Sequence, residues 1–410
     1  MNKERPLVQP AGFLLNWIGL LVMLALLLLA AWYSRFVIVV VLGLLLSAAG
    51  LALLWSRLAL KRVLCQRNLI EQRAFPGEYI ESKWSLVNRK LLPLPWVQMD
   101  DEVPSGFVPD RQLAAGSREG FGLLNRTTAL MWYSRIMWKE QFYCHKRGYY
   151  PLGPLKITTG DIFGFYMCSM NISSMEHIIV YPSIFPIDRP GIPSLFPQGE
   201  TTAERRIFED PTRIVGVRDY RPRDSLRHVH WKATARHRNL QVKVFEPTTT
   251  LSMAIFLAVD SFTCTDEAGE EDFELAVSTA ASIADYAVRR GSPVGLFANS
   301  QSADTGQQAR ILPGSGTNQL IGILEALAKV TTKPGDGFVD FLHRERRGLP
   351  WGTTLVVILS RPPEGLSAVF ESLKESGYKL KIFRTGSAAG TMSEYPFEVH
   401  TITKGGSVEG

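Results

Sequence analysis

The stretch Leu251-Ser-Met-Ala-Ile-Phe-Leu-Ala-Val259 decides the fold of the C-terminal part of the chain. Eight of its nine residues are apolar, which is typical of a strand buried on both faces of a parallel sheet. Apolar residues then recur at helical spacing over 272–290, and a second apolar run follows at Val294–Ala298. This order of strand, helix and strand predicts an α/β architecture.

The alternation continues towards the C-terminus. Further helices are predicted over 317–330, 338–346 and 364–376, and further strands at Thr354–Leu359, Lys379–Phe383 and Phe397–Ile402. We therefore expect a doubly wound α/β domain over 248–388, followed by a tail over 389–410 that holds the last strand.

Upstream, the pattern changes to the period of two that half-buried strands show. Apolar residues alternate with polar ones from Glu78, and the predicted strands are Val97–Val103, Glu140–Lys146, Leu155–Thr159 and Ile178–Tyr181. Gly, Pro, Asn or Asp separates these strands, and no amphipathic helix is evident between them. Residues 61–185 are thus predicted to form an all-β, sandwich-like module.

The N-terminal residues read as a membrane anchor. Phe13–Tyr33 and Phe36–Trp55 are apolar stretches of about 20 residues, long enough to cross a bilayer as helices. Only Ser34 and Arg35 separate them, which predicts a transmembrane helical hairpin over 1–60. Basic residues flank the hairpin and are nearly absent from its turn, so the positive-inside rule places both ends in the cytoplasm.

The 410-residue chain has a net charge of +6, but this charge is local. Residues 213–243 hold nine Lys or Arg and two Asp, so the rest of the chain is close to neutral. We expect Asp219 and Asp224 to pair with some of these guanidinium groups. The segment is then a structural element, a partner surface or, less favoured, a nucleic-acid patch. The four cysteines are scattered, which suits a reducing compartment.

The basic segment also carries a resemblance. It is similar to the motif of a bacterial family known as domain of unknown function 58, which reads roughly G-x-R-x-Y-x-P-G-D-x-x-R-x-I-x-W-x-x-x-A-R. The matching residues are Gly216, Arg218, Tyr220, Pro222, Asp224, Arg227, Trp231, Ala235 and Arg236. Arg223 stands where the family usually has Gly. The paired apolar stretches and short motifs such as Phe75-Pro-Gly-Glu78 and Gly160-Asp-Ile-Phe-Gly164 extend the likeness.

The resemblance implies a fold, a partner and a set of site residues. It implies that the α/β domain is von Willebrand factor A-like, and that the protein works beside a MoxR-type AAA+ ATPase in the bacterial inner membrane. The candidate binding residues within the linker and basic signature segment, 186–247, are Gly216, Arg218, Tyr220, Asp224, Arg227, Trp231, Lys232 and Arg236.

Domains of the von Willebrand A class often bind Mg²⁺ through the pattern D-x-S-x-S after the first strand, since Mg²⁺ prefers oxygen ligands. Here Asp260 is correctly placed, but Phe262 and Cys264 occupy the two Ser positions. Ser261 and Thr263 would serve only in a rearranged loop. We therefore expect no cofactor and no metal, with a degenerate Mg²⁺ site as the alternative.

Motifs of other reaction classes are absent. The sequence has no G-x-x-x-x-G-K-[ST], no G-x-S-x-G and no H-E-x-x-H, and no Cys completes a zinc site with His228 and His230. The favoured hypothesis is a non-enzymatic, membrane-anchored cytoplasmic adaptor or scaffold. The alternatives are a membrane-tethered enzyme with an unrecognised hydrolase or transferase site, and a binder of anionic lipid or nucleic acid through 213–243.

Overall fold

The structure is a computed structural model that falls into two compact units, Met1–Ser183 and Ile184–Gly410. It describes residues 2–3, 6–10, 12, 16–107, 114–116, 118, 120–173, 176–186, 209–221, 224, 228–237, 239–247, 252–264, 266–350, 353–363, 365–376, 378–386, 399–402 and 408–409. The candidate Arg227 and the motif residue Pro222 lie outside these ranges.

Two apolar helices begin the first unit, α1 (Trp17–Trp32) and α2 (Phe36–Ala59). Asn16, which lies within the predicted span Phe13–Tyr33, caps α1 by accepting a 2.9 Å hydrogen bond from the backbone N–H of Trp17. At 1.5 Å per residue, the 16 residues of α1 extend about 24 Å. Within the described residues, α2 alone is long and apolar enough to cross a membrane.

The rest of the first unit is β-structure in several sheets, as predicted. Its strands are β1 (Asn2–Lys3), β2 (Leu7–Pro10), β3 (Val63–Leu69), β4 (Arg73–Ala74), β5 (Tyr79–Asn88), β6 (Leu94–Pro104), β7 (Ala114–Ala115), β8 (Phe121–Leu130), β9 (Arg135–Tyr143), β10 (Gly148–Leu152), β11 (Leu155–Gly160), β12 (Tyr166–Ser173) and β13 (Glu176–Val180). The larger sheet has the order β1-β12-β11-β6-β8-β7, with β2 also paired to β12. Two smaller sheets have the orders β3-β5-β9 and β10-β13-β4.

One core lies between the larger sheet and the β3-β5-β9 sheet. Trp84 and Leu86 of β5 pack there with Val97 of β6 and Ile157 of β11. These residues alternate along their strands with more exposed ones, because successive side chains of a strand point to opposite faces. This pairing of two sheets over a shared core gives the module its sandwich-like form.

The end of α2 is built into this core. Ala59 is fully buried in it, and Trp55 packs against it, so the helix runs past the predicted end of the apolar stretch. The Lys90 ammonium donates to the carbonyl oxygens of Leu58, at 2.8 Å, and Ala59. It thereby caps the C-terminus of the helix. Burial lowers the pKa of Lys90 to about 8.

A charged cluster is buried elsewhere in the β module. The Arg67 guanidinium donates to both carboxylate oxygens of Asp101, at 2.8 and 3.0 Å, and to Glu176 at 2.8 Å. It also donates to the carbonyl oxygen of Leu152 and lies 5.4 Å from the ring centroid of Trp84. One cation is therefore shared between two carboxylates in a desolvated position, and burial raises the pKa of Asp101 to about 6.

The second unit alternates strands and helices in its central part. Its strands are β14 (Glu209–Asp219), β15 (Gln241–Pro247), β16 (Met253–Leu257), β17 (Val294–Ser302), β18 (Gln308–Gly314), β19 (Val330–Pro334), β20 (Thr354–Leu359), β21 (Lys379–Thr385), β22 (Val399–Ile402) and β23 (Val408–Glu409). Its helices are α3 (Trp231–His237), α4 (Glu267–Arg289), α5 (Thr317–Lys329), α6 (Phe338–Glu345) and α7 (Leu366–Glu375).

The main sheet of this unit has the order β18-β17-β16-β20-β21-β22-β23. Strands β17, β16, β20, β21 and β22 are mutually parallel, whereas β18 runs antiparallel to β17. Helices α6 and α7 pack on the face that carries Phe256 and Val357. The alternate residues Ile255 and Val356 are fully buried too, and α4 contacts the same strands. Both faces of the central strands are therefore covered, which explains their uninterrupted apolar sequences.

Candidate functional site

The first candidate site lies where β16 and β20 end. From β16 the chain crosses to β17 on one side, and β20 lies on the other side, so the direction of winding changes between these two strands. In open α/β sheets, ligands bind outside the carboxyl ends of strands at such a point. Asp260 and Ser261 follow β16 here, and Ser360 follows β20.

The polar groups of this edge bond mainly to one another and to the backbone. The Asp260 Oδ2 atom accepts a 2.8 Å hydrogen bond from the N–H of Phe338, the first residue of α6, so this aspartate caps a helix distant in sequence. The Ser261 hydroxyl donates to the carbonyl oxygen of Ala258 at 2.6 Å and accepts from the N–H of Ser360 at 3.0 Å. Ser261 thus joins the ends of β16 and β20.

The remainder of the loop is held by packing and by the start of α4. The Phe262 ring, which stands where a hydroxyl ligand would be needed, packs edge-on against Phe273 of α4 with ring centroids 5.6 Å apart. Asp266 caps α4 by accepting from Gly269 N–H at 3.0 Å, and a Cβ at Gly269 would lie 1.9 Å from the carbonyl oxygen of Thr263. Among the described residues, no group of three or more His, Cys, Asp or Glu is placed to hold a metal ion.

The second candidate site is the basic signature segment, which the structure organises around an antiparallel pair of strands. Strands β14 and β15 pair from Glu209 opposite Pro247 to Asp219 opposite Gln241, with irregular register on either side of Ile214. Gly216 lies in β14, where an added Cβ would have no atom within 4 Å. Local packing therefore does not explain the glycine.

Arg218 and Asp224 form a two-pronged ion pair at the surface. The guanidinium donates to the two carboxylate oxygens at 2.6 and 2.7 Å, and the N–H of Arg221 donates to the same carboxylate at 2.8 Å. The Arg218 side chain is 41% exposed and that of Asp224 17%. These hydrogen bonds lower the pKa of Asp224 to about 2. The expected pairing of Asp224 with an arginine is therefore observed, while Asp219 accepts from Gln241 instead.

Tyr220 and the short helix α3 complete the segment. The N–H of Tyr220 donates to the carbonyl oxygen of Leu240 at 2.9 Å, which continues the β14–β15 ladder. The Nδ1 atom of His230 accepts from Ala233 N–H at 3.1 Å and caps α3. The structure thus uses His230 as a helix cap.

Helix α3 presents its first residue to solvent. Trp231 is 72% exposed, and Lys232 and Arg236 of the same helix are exposed as well. A large aromatic side chain beside a guanidinium group is a composition found at protein interfaces. The arrangement offers a contact surface.

Two residues that the sequence did not indicate contribute to these sites. Asn299, within β17, is fully buried; its Oδ1 atom accepts from Val259 N–H at 2.6 Å, and its Nδ2 atom donates to the carbonyl oxygen of Asp336 at 3.1 Å. Gln241 supports Asp219 from the neighbouring strand. The signal for Asn299 in the sequence is its position directly after the apolar run 294–298.

Comparison with known proteins relates part of the chain to one family. Residues 216–343, less than half of the chain, match the family model described as "Protein of unknown function DUF58". The match begins in β14 and ends in α6, so it includes the candidate residues of the basic segment as well as Asp260 and Ser261, but not Ser360. The chain is also 24% identical over 268 residues to "Uncharacterized protein YeaD" of Bacillus subtilis (strain 168). That alignment covers 65% of this chain and 61% of the relative's length.

Similarity to solved structures is low. The CARDB domain of the PF1109 protein from Pyrococcus furiosus has a TM-score of 0.19 at 9% identity, covering 29% of this chain and 91% of that one. The sporulation control protein Spo0M from Bacillus subtilis has a TM-score of 0.18 at 10% identity, covering 30% and 50%. Scores of this size establish no common fold. The family match and the Bacillus relative together support a relationship of this chain to the DUF58 proteins.

Proposed function

We propose that the protein is a non-enzymatic adaptor or scaffold that is anchored in the bacterial inner membrane and works with a MoxR-type AAA+ ATPase. In this proposal α1 and α2 form a membrane hairpin, and the β module supports the cytoplasmic α/β unit. The observation that carries the proposal is the exposed Trp231 surface within the segment that matches the family.

The connections of the β module support a hairpin that enters and leaves on one side of the membrane. Strand β2, which precedes α1, pairs with β12 from Pro10 opposite Tyr166 to Leu7 opposite Ser169. The end of α2 meets the same strand, where the Ser56 hydroxyl donates to the carbonyl oxygen of Tyr166 at 3.4 Å. Attachment of both ends of the helical pair to one strand supports a pair that runs outward and returns.

The basic residues favour a cytoplasmic position for the β module. Arg57, Lys61 and Arg62 lie at the end of α2, whereas Arg35 is the single basic residue in the turn. A reporter that is active only in the cytoplasm, fused after Gly410, should therefore be active. Activity of a periplasm-dependent reporter at the same position would reverse the topology and remove the proposed partner.

A von Willebrand factor A-like assignment for the α/β unit rests on the strand order and on the position of Asp260. We propose that this loop works without metal, because Ser261 already bonds to Ala258 and Ser360, and Phe262 packs against Phe273. Polar groups engaged in this way hold the sheet edge together and leave few oxygens for Mg²⁺. The unit then binds its partner through a protein surface.

The Trp231 surface provides such a site. Tryptophan and arginine are over-represented among residues that dominate binding energy, and an exposed tryptophan on a short capped helix is held in position for contact. The Arg218–Asp224 pair and the β14–β15 ladder fix the segment from which α3 projects. A segment that is already ordered loses less conformational entropy when it binds a partner.

The test is recovery of the ATPase with the full-length protein from detergent-solubilised membranes. We expect Trp231→Ala to lower the amount of co-purified ATPase by about 10-fold, as for loss of an interface hot spot. Tyr79→Ala is the matched control, because Tyr79 is also an exposed aromatic residue, at 64%, but lies in the β module. Recovery of the ATPase at the wild-type level with Trp231→Ala would remove the Trp231 surface from the proposal, and an equal loss with Tyr79→Ala would show that the loss is not specific to α3.

A further inference from the structure

Apolar side chains are exposed on the loops that surround the base of α2. The connection between β5 and β6 exposes Leu91, and the connection between β8 and β9 exposes Met131, Trp132 and Tyr133. The connection between β11 and β12 exposes Phe163 and its neighbour Ile162. We call these loops, residues 89–93, 131–134 and 161–165, the collar.

Hydrogen bonds place the three loops at the base of α2. The N–H of Arg89 donates to the carbonyl oxygen of Arg62, just beyond the helix, at 3.1 Å, and Lys90 bonds to its last carbonyl groups. The N–H of Tyr133 donates to the carbonyl oxygen of Lys90 at 3.2 Å, which ties the second loop to the first. The third loop leads into Tyr166, the partner of Ser56 in α2.

The collar is therefore one end of the β module, and it is the end at which the chain leaves for α1. Pro10, the last residue of β2, lies opposite Tyr166. A helix that crosses a bilayer brings the surroundings of its base to the headgroup region. Tryptophan and tyrosine are enriched at that depth because their rings are apolar and their N–H or O–H groups remain hydrated.

The charge of this end fits an anionic surface. Exposed basic residues accompany the apolar ones on the collar, directly beside it and on the helix base, namely Arg57, Lys61, Arg62, Arg89 and Arg135. Asp161 is the acidic residue of these loops; it is buried, and its Oδ1 atom accepts from Phe165 N–H at 2.8 Å. Basic groups beside exposed aromatic rings are typical of surfaces that bind anionic lipid.

From this placement we propose that the collar of the β module is seated in the headgroup region of an anionic bilayer. The module is then a monotopic membrane-binding body in addition to being tethered by its helices. The proposal rests on the membrane anchoring proposed above, and it adds a lipid-binding surface outside the helices. The Lys90 side chain bonds the collar to the end of α2, and it thereby connects the lipid-binding surface to the helices.

The experiment measures the depth of a fluorescent thiol label in the full-length protein, reconstituted into mixed phosphatidylcholine–phosphatidylglycerol vesicles. Tyr133→Cys reports on the collar, and Tyr79→Cys is the matched control. The two tyrosines are 67% and 64% exposed, and they lie at opposite ends of the β5–β9 pair, roughly 30 Å apart at about 3.3 Å per residue. A Cys264→Ser background removes the half-buried native thiol, while Cys65, Cys144 and Cys168 are buried.

We expect a nitroxide carried near the top of the lipid acyl chain to quench the label at 133 roughly two-fold or more, and to leave the label at 79 unchanged. Phe163→Cys should behave like Tyr133→Cys. A third position, Leu44→Cys within α2, separates the two proposals. Quenching at 44 without quenching at 133 overturns the collar and keeps the anchor, whereas no quenching at 44 overturns the anchor.

A second arm tests the lipid charge. We expect Lys61→Glu with Arg89→Glu to reduce quenching at 133 in the mixed vesicles to the level seen in pure phosphatidylcholine. Lys146→Glu, on the far side of the module, should leave it unchanged. A label at 133 that is shielded both from the lipid nitroxide and from aqueous iodide would show that protein covers the collar, and this result would overturn the proposal.

Discussion

Two arginine–aspartate pairs, one in each unit, show how differently the same contact behaves in two environments. Arg67 and Asp101 have side chains that are 2% and 3% exposed, whereas those of Arg218 and Asp224 are 41% and 17% exposed. Both carboxylates receive a hydrogen bond from guanidinium at 2.8 Å or less. Yet the pKa of Asp101 rises to about 6 and that of Asp224 falls to about 2.

The difference teaches that the surroundings of an ion pair, more than its distance, decide which protonation state is favoured. Around Asp101, the desolvation of the charged carboxylate outweighs the attraction of an arginine that also serves Glu176. Around Asp224, water still solvates the pair, so the hydrogen bonds from Arg218 and the Arg221 N–H dominate.

The largest effect should follow from removing the buried cation. Arg67→Met leaves Asp101 and Glu176 without it, which typically costs about 3–5 kcal/mol of unfolding free energy. Denaturant titration in detergent, followed by thiol exposure of Cys65 and Cys144, measures the first unit. Lys139→Met, which breaks a pair with Glu81 in the same unit whose lysine is 62% exposed, is the control and should change little. Equal midpoints for both variants would show that the buried cluster is not a stabilising element.

The next effect concerns pH. The folded pKa of Asp101, about 6, lies above its ordinary value of 3.8, so between these values the unfolded chain has lost a proton that the folded chain keeps. The contribution of Asp101 to the free energy of unfolding is therefore full below pH 4 and declines as pH rises through 6, by on the order of 2–3 kcal/mol. The free energy of unfolding of Asp101→Asn, whose side chain cannot ionise, should not show this decline when both proteins are measured between pH 4 and 8. Parallel curves would contradict the raised pKa.

An effect of intermediate size is expected at Asp260, whose carboxylate accepts a hydrogen bond from a backbone N–H. Asp260→Ala removes the cap of α6, and we expect a loss of about 1 kcal/mol of unfolding free energy. Asp260→Asn should recover most of this loss, because the amide oxygen still accepts from Phe338 N–H. Calorimetric titration with Mg²⁺ should detect no site in the wild-type protein. A one-site isotherm that Asp260→Ala abolishes would show that the loop rearranges around a metal.

The smallest effect should come from the surface pair. Asp224→Ala should lower the unfolding midpoint of the second unit far less than Arg67→Met lowers that of the first, since Arg218 stays solvated after its partner is lost. The folded pKa of Asp224 is lowered, so its contribution is present above pH 4 and disappears as pH falls through about 2. Limited proteolysis of the second unit at pH 3 and pH 7 measures both the effect of Asp224→Ala on stability and its dependence on pH. A midpoint shift as large as that of Arg67→Met would mean that the pair is desolvated.

The elements that could be predicted are those whose burial leaves a clear apolar pattern, either an uninterrupted run for a strand covered on both faces or helical spacing for a helix packed on one face. Thr354–Leu359 is a strand with the predicted bounds, and α5 at Thr317–Lys329 differs from its prediction by one residue. Strands β12 and β18 were missed because Met167, Leu312 and other apolar residues on their exposed faces obscure the alternation. The pairing of β14 with β15 was missed because the basic residues between them dominated the pattern.

The candidate sites were predictable to a smaller extent, for a physical reason. Local sequence indicates that Asp224 can meet an arginine six residues away, since the two lie in one turn of chain. It does not indicate that Asp260 caps a helix 78 residues later, or that Arg67, Asp101 and Glu176 meet in one buried cluster. Such contacts depend on the sheet topology, and no short motif encodes it.

The pairing of β2 with β12 has a consequence for how the protein is made. Strand β2 precedes both helices in the chain, whereas its partner residues, 166–169, follow both helices and most of the β module. Until residues 166–169 have been translated, Leu7–Pro10 lacks its partner strand. The contact that holds the start of the helical pair to the β module can therefore form only after the pair itself has been synthesised.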